Sequence, residues 1–394
     1  MRIAYVTETF PPEINGVALT AERTVRHLRA AGHAVQLIRP RRPHEPACRN
    51  AQEWRCAGGP IPMYPELRYG WATPAALRAL WREEEGQGGG PPDLVHVTTP
   101  GPLGWAALRA AQAEGLPASA DFRTNFHTYC SHYGLGWMEP VVLGYLKRLH
   151  AMADTNFVPT PELAQQLAAH GFEHLLVLGR GVDARLFSPE RRDAALRREW
   201  RAGPEHRVLL HVGRLAPEKN AGLALQTFER LSARRPGLRM VVVGDGPQRA
   251  KLERAHPRAR FVGMQTGAAL ARHYASADVF LFPSLTDTFG NVVLEALASG
   301  LAVAAFNTGA AAQHVRNDVS GCLAPPSKGL GAADAFLGAA ARALDASLPD
   351  GLLRLEARLA ATQADWAGVL HRFEQRLQQL AMAGRTVPRY AAMA

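Results

Sequence analysis

Cysteine is scarce: the 394 residues hold only Cys48, Cys56, Cys130 and Cys322. No two of them stand in C-x-x-C spacing, so neither a zinc site nor a disulfide framework is indicated. No apolar run is long enough to span a bilayer. The opening MRIAYVTETF reads as a β-strand, without the charged region and apolar segment of a secretion signal. A cytoplasmic protein is expected. The loop after that strand lacks G-x-G-x-x-G, which disfavours a nicotinamide-type dinucleotide turn. Asp-x-Asp is missing beside the candidate phosphate motifs, so no metal and no cofactor is expected. The formal net charge is +10, but the basic residues are spread over many segments and no nucleic-acid module appears. Anionic substrates or an anionic membrane surface suit that balance, and nucleic acid is not an expected partner.

What is present is a 47% hydrophobic chain, enough for full-sized cores, of a length suggesting roughly two to three domains. Its organising stretch is Leu281–Gly300, LFPSLTDTFGNVVLEALASG. An apolar run beginning at Asp278 has the length and β-propensity of a buried parallel strand. A polar loop carrying Asp287 follows, then Phe289 and Gly290, then a helical segment at Asn291–Ser299 that stops at Gly300. Free N–H groups and the helix dipole at Gly290, Asn291 and Val292 can hold an anion. Asp287 on the loop and Glu295 about one turn into the helix can face one ligand. Two acids beside an anion site are costly unless hydroxyls satisfy them, so the stretch reads as a site for a phosphate-linked sugar.

Elsewhere, short strands alternate with helices, and Gly- and Pro-bearing loops follow the strands, as in doubly wound parallel sheets. Ile3–Val6 opens the series. The loop Thr7–Ala18 then places Gly16 near the start of a helix expected at Thr20–Ala31, where a missing side chain lets a phosphate approach. Ala34–Ile38 is the second strand. Arg39 to Pro74 is expected to be loop with short strands, and Glu83–Pro92 a flexible connection. A strand near Ala120 leads into a loop with His127, Thr128, Tyr129 and His132, and loops at strand carboxyl ends are where such sheets bind ligands. Helices are expected at Tyr145–Ala153 and Thr160–His170. The second half restarts with a strand at Arg207–Val212 and G-R-x-x-x-x-K, placing Arg214 and Lys219 where two cations suit a diphosphate. Strands follow at Arg239–Val243 and Ala302–Phe306, a turn at Gly321–Pro326, and helix over Ala333–Gln379, with a disordered tail after Gly384.

Asp287 and Glu295, with seven residues between them, resemble the Glu-x7-Glu signature of the family 4 retaining glycosyltransferases of the GT-B fold, with Asp in first place. Gly16, His127, Arg214 and Lys219 match that family in order along nearly the whole chain. The resemblance implies an α/β fold of two Rossmann-like doubly wound parallel-sheet domains facing across a cleft. Residues 1–180 would form the acceptor-side domain and 181–365 the nucleotide-sugar domain. Residues 366–394 would form a C-terminal helix crossing back to the first domain, plus a tail. It further implies that Gly16 faces the donor diphosphate, His127 helps place the sugar, and Arg214 and Lys219 stabilise the leaving diphosphate. Met264 and Gln265 would meet the base, Glu295 the ribose and Asp287 the donor sugar, with Phe289, Gly290, Asn291 and Val292 completing the donor site. No carboxylate is placed as a covalent nucleophile, so the leaving phosphate itself would help deprotonate the acceptor.

The expected reaction moves a hexose, first mannose from GDP-mannose, to a lipid or glycan hydroxyl with retention and without metal. The alternative is a UDP-sugar-dependent enzyme making a diacylglycerol glycolipid, and a lesser one a GT-B nucleotide-sugar epimerase. A phosphorylase lacks a recognisable pyridoxal-binding lysine environment here, and a non-catalytic binder would not need both cations and both acids. For a lipid acceptor, peripheral attachment to the inner face of the cytoplasmic membrane is expected through Arg39–Arg42, Arg68, Tyr69, Trp71 and Trp137.

Overall fold

The computed structural model describes residues 1–13, 15–61, 64–83, 90–122, 136–284, 289–326, 330–348 and 351–386. They form two compact units, one drawn from Met1–Cys130, Trp137–Gly179 and Leu370–Ala394, the other from Arg180–Val369.

The first unit is built on strands β1 Arg2–Val6, β2 Ala34–Pro40, β3 Glu53–Ile61, β4 Tyr64–Trp71, β5 Leu94–Val97, β6 Ala118–Asp121, β7 Thr155–Val158 and β8 Leu175–Val177. Their order in the sheet is β4-β3-β2-β1-β5-β6-β7-β8. Helices α1 Gly16–Ala30, α2 Pro74–Glu83, α3 Pro102–Ala113, α4 Glu139–His150 and α5 Pro161–Ala169 follow strands along the chain. β1 is central because it is apolar on both faces. Ala4 and Val6 pack toward α3, while Ile3 and Tyr5 pack with Phe157 and Phe373. Burial on both faces is what a middle parallel strand requires.

Three expectations change here. The region 39–74 holds two substantial strands, β3 continuing the sheet beside β2 in parallel and β4 returning antiparallel to β3. Gly58, Gly59 and Pro60 erase the alternation that would have marked β3, and the register shifts at Pro60/Ile61. Helix α1 begins four residues before the expected start, because Asn15 Oδ1 accepts from the N–H groups of Val17 and Ala18 at 3.1 and 2.8 Å. Helix α4 begins at Glu139, with Pro140 inside its first turn.

The second unit holds an all-parallel sheet of β9 Arg207–Val212, β10 Leu238–Val243, β11 Ala259–Phe261, β12 Val279–Phe282, β13 Ala302–Phe306 and β14 Gly321–Ala324. The order is β11-β10-β9-β12-β13-β14. The turn expected at Gly321 is thus an edge strand. It escapes notice because GCLA is short and Gly321 lies flat on β13, where a Cβ would stand 2.8 Å from Val303 O. Helices α6 Ala194–Glu199, α7 Ala221–Ser232, α8 Arg249–Ala255, α9 Gly267–Ser276, α10 Asn291–Ala298, α11 Gly309–His314, α12 Leu330–Ala346 and α13 Leu352–Thr362 belong to this unit.

Asp278, just before β12, ties the base of this unit together. Its buried carboxylate accepts from Arg192 Nη2 at 2.9 Å, Arg197 Nη1 at 3.1 Å and Val208 N–H at 2.8 Å, with Arg354 Nη1 at 3.5 Å. Burial raises its pKa, but Arg192, the Val208 amide and Arg197 outweigh burial and hold it below the usual carboxylate range.

The last helix, α14 Trp366–Thr386, leaves the second unit at Val369 and continues in the first. Phe373, Leu377 and Leu380 enter the core beside Tyr5 and Phe157. Glu374 carboxylate oxygens sit 3.0 Å from His27 Nε2 and 2.9 Å from His33 Nε2. Residues 84–89 and 387–394, part of the expected connection and tail, lie outside the described residues.

Candidate active site

In a doubly wound sheet the ligand crevice lies beyond the strand carboxyl ends, where the order reverses. In the second sheet the chain runs β9 to β11 in one direction and β12 to β14 in the other, so β9 and β12 flank the reversal. The Gly213–Asn220 turn after β9 and the loop after β12 therefore border one crevice, and they are joined. Asn220 Nδ2 donates to Pro283 O at 3.3 Å, and Ser284 Oγ to Glu218 O at 3.4 Å.

The turn carrying Arg214 and Lys219 is also bound to the turn after β10. Gly213 N–H donates to Val243 O at 3.0 Å, Leu215 N–H to Asp245 O at 2.8 Å, and Gln248 N–H to Leu215 O at 2.9 Å. Gly244 has φ +136, and a Cβ there would stand 1.9 Å from Gly213 O. Only glycine lets the two turns approach this closely. The backbone under both cations is thus fixed before any ligand arrives.

Two helix ends open onto the same crevice. Helix α7 starts at Asn220 (φ +54) and α10 at Gly290 (φ +91), and among the described residues neither receives a side-chain cap. The amides of such ends favour an anion. Phe289 is buried, and its carbonyl accepts from Ala310 N–H at 2.6 Å, which anchors the start of α10. Glu295 is partly buried, with Oε2 accepting from Tyr274 Oη at 3.0 Å. Burial, and next the charge of Glu295, raise the Tyr274 hydroxyl well above its ordinary range. It therefore remains a proton donor that orients the carboxylate. Nothing in the sequence spacing marked Tyr274, because it lies on α9, twenty-one positions before its partner.

Met264 is half-exposed after β11. Gln265 Nε2 donates to Val262 O at 3.0 Å. With Glu199, Trp200, Phe261 and His273, Gln265 lines a pocket of ≈ 550 Å³ beside edge strand β11. Asp287 lies outside the described residues, as do His127, Thr128, Tyr129 and His132. Gly16 is the first residue of α1, in the first unit, and two amides of that turn are already taken by Asn15. Among the described residues, no cluster of three metal-ligating side chains occurs.

The expected membrane surface is corrected at two residues, Arg39 and Arg42, while Tyr69, Trp71 and Trp137 are exposed. Arg39 is buried, bonded to Glu53 at 2.8 Å and to Glu45 at 2.8 and 3.0 Å, and Arg42 is held by Pro11 O at 2.8 Å, by Phe10 O and by Glu45. Both serve the fold rather than a membrane. Trp137 is 74% exposed and Val141, one turn on, is 66% exposed; Tyr145 follows on the same face of α4, stacked on Trp105.

Two open sheets, the first parallel but for its edge strand β4 and the second wholly parallel, joined in tandem with a phosphate-suited crevice at the reversal of the second, define a GT-B glycosyltransferase. The comparisons agree in both halves. A model described as Glycosyltransferase Family 4 matches residues 14–186, and one described as Glycosyl transferases group 1 matches residues 206–345. The chain is 39% identical over 317 residues to the GDP-mannose-dependent alpha-mannosyltransferase of Mycolicibacterium smegmatis, covering 78% of this chain and 80% of that one. It is 30% identical over 331 residues to the sulfoquinovosyl transferase SQD2 of Arabidopsis thaliana, covering 81% and 62% respectively. The solved sucrose-phosphate synthase from Thermosynechococcus elongatus superposes with a TM-score of 0.77 at 20% identity, over 97% of this chain and 99% of that one. The chain belongs to the family 4 glycosyltransferases, and it is a hexosyltransferase.

Proposed function

We propose that the chain transfers mannose from GDP-mannose to a hydroxyl of a lipid or glycan, with retention of anomeric configuration and without a metal. The observation that carries this reading is the fixed Gly213–Asn220 turn at the β9/β12 reversal, which brings two cations and two uncapped helix ends to one crevice. As the bond to the donor sugar breaks, negative charge grows on the diphosphate. Arg214, Lys219 and the amides of Asn291 and Val292 meet that charge where a metal would otherwise be needed. Glu295, oriented by Tyr274, accepts from ribose hydroxyls. Asp287 and His127 hold the donor sugar, and Met264 and Gln265 the base. The 39% identity to a GDP-mannose-dependent relative supports mannose as the sugar.

The acceptor is read as a lipid at an anionic bilayer. The support is the exposed row of Trp137, in the turn before α4, and Val141 and Tyr145 on α4, with Lys147 and Arg148 exposed beside it. The likeness to a relative named alpha-monoglucosyldiacylglycerol synthase, of Streptococcus pneumoniae, supports the same reading, with a UDP-sugar as the second donor to test.

Incubation with GDP-mannose or UDP-sugars, a lipid or glycan acceptor, and EDTA tests the reaction. An α-linked mannoside made at undiminished rate in EDTA is expected. A β-linkage, or activity restored only by Mn²⁺ or Mg²⁺, contradicts it. Flotation with anionic vesicles should fall when Trp137 and Val141 are both replaced by Ser, and equal, negligible binding to anionic and neutral vesicles would argue for a soluble acceptor.

A further inference from the structure

One buried titratable group of the first unit has no task in this reaction. Glu8 is 8% exposed and follows β1, which with β5 flanks the reversal of the first sheet. Three segments converge on it. Its own N–H donates to Thr99 Oγ1, beyond β5, at 2.8 Å. Oε1 accepts from Gly70 N–H of β4 at 3.3 Å and from Leu103 N–H in the first turn of α3 at 3.1 Å. Helix α3 can start against the carboxyl because its N-cap, Gly101, has no side chain; a Cβ there would stand 1.7 Å from Oε2.

Capping α3 explains Oε1 and leaves Oε2 over. Oε2 takes no hydrogen bond from the described residues. A cap needs one acceptor, which glutamine would supply without burying an ionisable group. The second oxygen, unpartnered at the crevice of the sheet, is what a ligand hydroxyl would satisfy. We propose that Glu8 binds the acceptor, its Oε2 taking a hydrogen bond from a hydroxyl of the polyol that carries the attacking oxygen. The proposal rests on the transferase reading above and adds the residue that receives the second substrate.

The ionisation of Glu8 gives a handle on this role. Burial pushes its carboxyl up to about 7, against the pull of the Leu103 and Gly70 amides. Two titratable neighbours feel its charge, Cys56 on β3 and Tyr145 on α4. Burial chiefly pushes them up to about 11 and about 12, so both are neutral where Glu8 titrates. No charged side chain of the described residues shifts Glu8 itself. The ionised form keeps Oε2 a pure acceptor, so use of the hydroxyl substrate rises with pH through about 7.

The test compares wild type with Glu8→Gln from about pH 5.5 to about 8.5, measuring kcat/KM for the acceptor and Kd for GDP. The variant is expected to lose roughly 10- to 100-fold in acceptor kcat/KM, as for a hydrogen bond to a charged group. It should also lose the rising limb near neutrality, while GDP Kd stays unchanged. An unaltered acceptor kcat/KM with an unaltered limb overturns the proposal. If Glu8→Gln does not fold, the wild-type profile decides: a step near pH 7 supports the role, and a flat profile overturns it. Wild type that binds GDP yet glycosylates no hydroxyl sinks the transferase reading itself, and this assignment with it.

Discussion

The two sheets reverse their strand order in the same way and furnish the reversal differently. In the second unit the crevice is bordered by Arg214, Lys219 and the uncapped starts of α7 and α10. In the first, the loops after β1 and β5 carry Thr7, Glu8, Thr9, Thr98 and Thr99. There the nearby helix ends are already closed, α1 by Asn15 and α3 by Glu8. A helix end left open suits an anion; one closed by the chain's own oxygen does not. On the proposed reading, one fold used twice yields a diphosphate site and a hydroxyl site by the choice of caps.

The comparison can be broken at its foundations first. Asp278→Ala leaves Arg192, Arg197 and Arg354 without their shared carboxylate beneath β12, and removing one partner of a buried pair costs about 3–5 kcal/mol. Urea denaturation of the full chain should show one transition moved strongly, the one belonging to the second unit. The pH dependence follows from the depressed pKa of Asp278. Its stabilisation is complete above the ordinary carboxylate pKa and is lost as pH falls through the lower folded value. The wild-type transition should therefore weaken in acid, and Asp278→Ala should flatten that dependence.

Gly244→Ala is the next largest. A Cβ 1.9 Å from Gly213 O, at φ +136, must push the two turns apart. Strain of this kind costs about 1–3 kcal/mol. Because the displaced backbone carries Arg214, GDP affinity measured by calorimetry should fall along with stability. An alanine variant with wild-type affinity would mean that the turn does not hold the cation.

The smallest effect is expected in the first unit. Asn15→Ala opens the amides of Val17 and Ala18, at a cost of about 1 kcal/mol. Denaturation should place that loss in the first unit's transition. A neutral substitution would remove the contrast between closed and open helix ends.

How far the sequence discloses this arrangement depends on the range of the signal. The centre of each sheet is legible because buried parallel strands are continuous apolar runs; Ile3–Val6 in the first and Arg207–Val212 in the second stand where their composition puts them. Arg214, Lys219 and Glu295 are legible because each lies a fixed step from a strand or helix end. The hairpin β3–β4 is not, since Gly58, Gly59 and Pro60 break alternation at an edge where pairing supplies what propensity withholds. Arg39 reads as a surface cation until Glu45 and Glu53 are brought to it by folding. Tyr274 and Glu8 are invisible for the same reason, their partners being 21 and 95 positions away for Glu295 and Leu103.

The central claim is that the crevice at β9/β12 holds the nucleoside diphosphate. Calorimetric titration of GDP into wild type and the Arg214→Ala/Lys219→Ala double variant tests it most directly. With both cations gone, two charge-assisted contacts are lost at once, and affinity should fall ~100-fold or more. The Glu8→Gln variant, run beside it, should bind GDP as wild type does. A double variant that keeps GDP affinity within about threefold of wild type, under 1 kcal/mol, would place the diphosphate elsewhere and contradict the account.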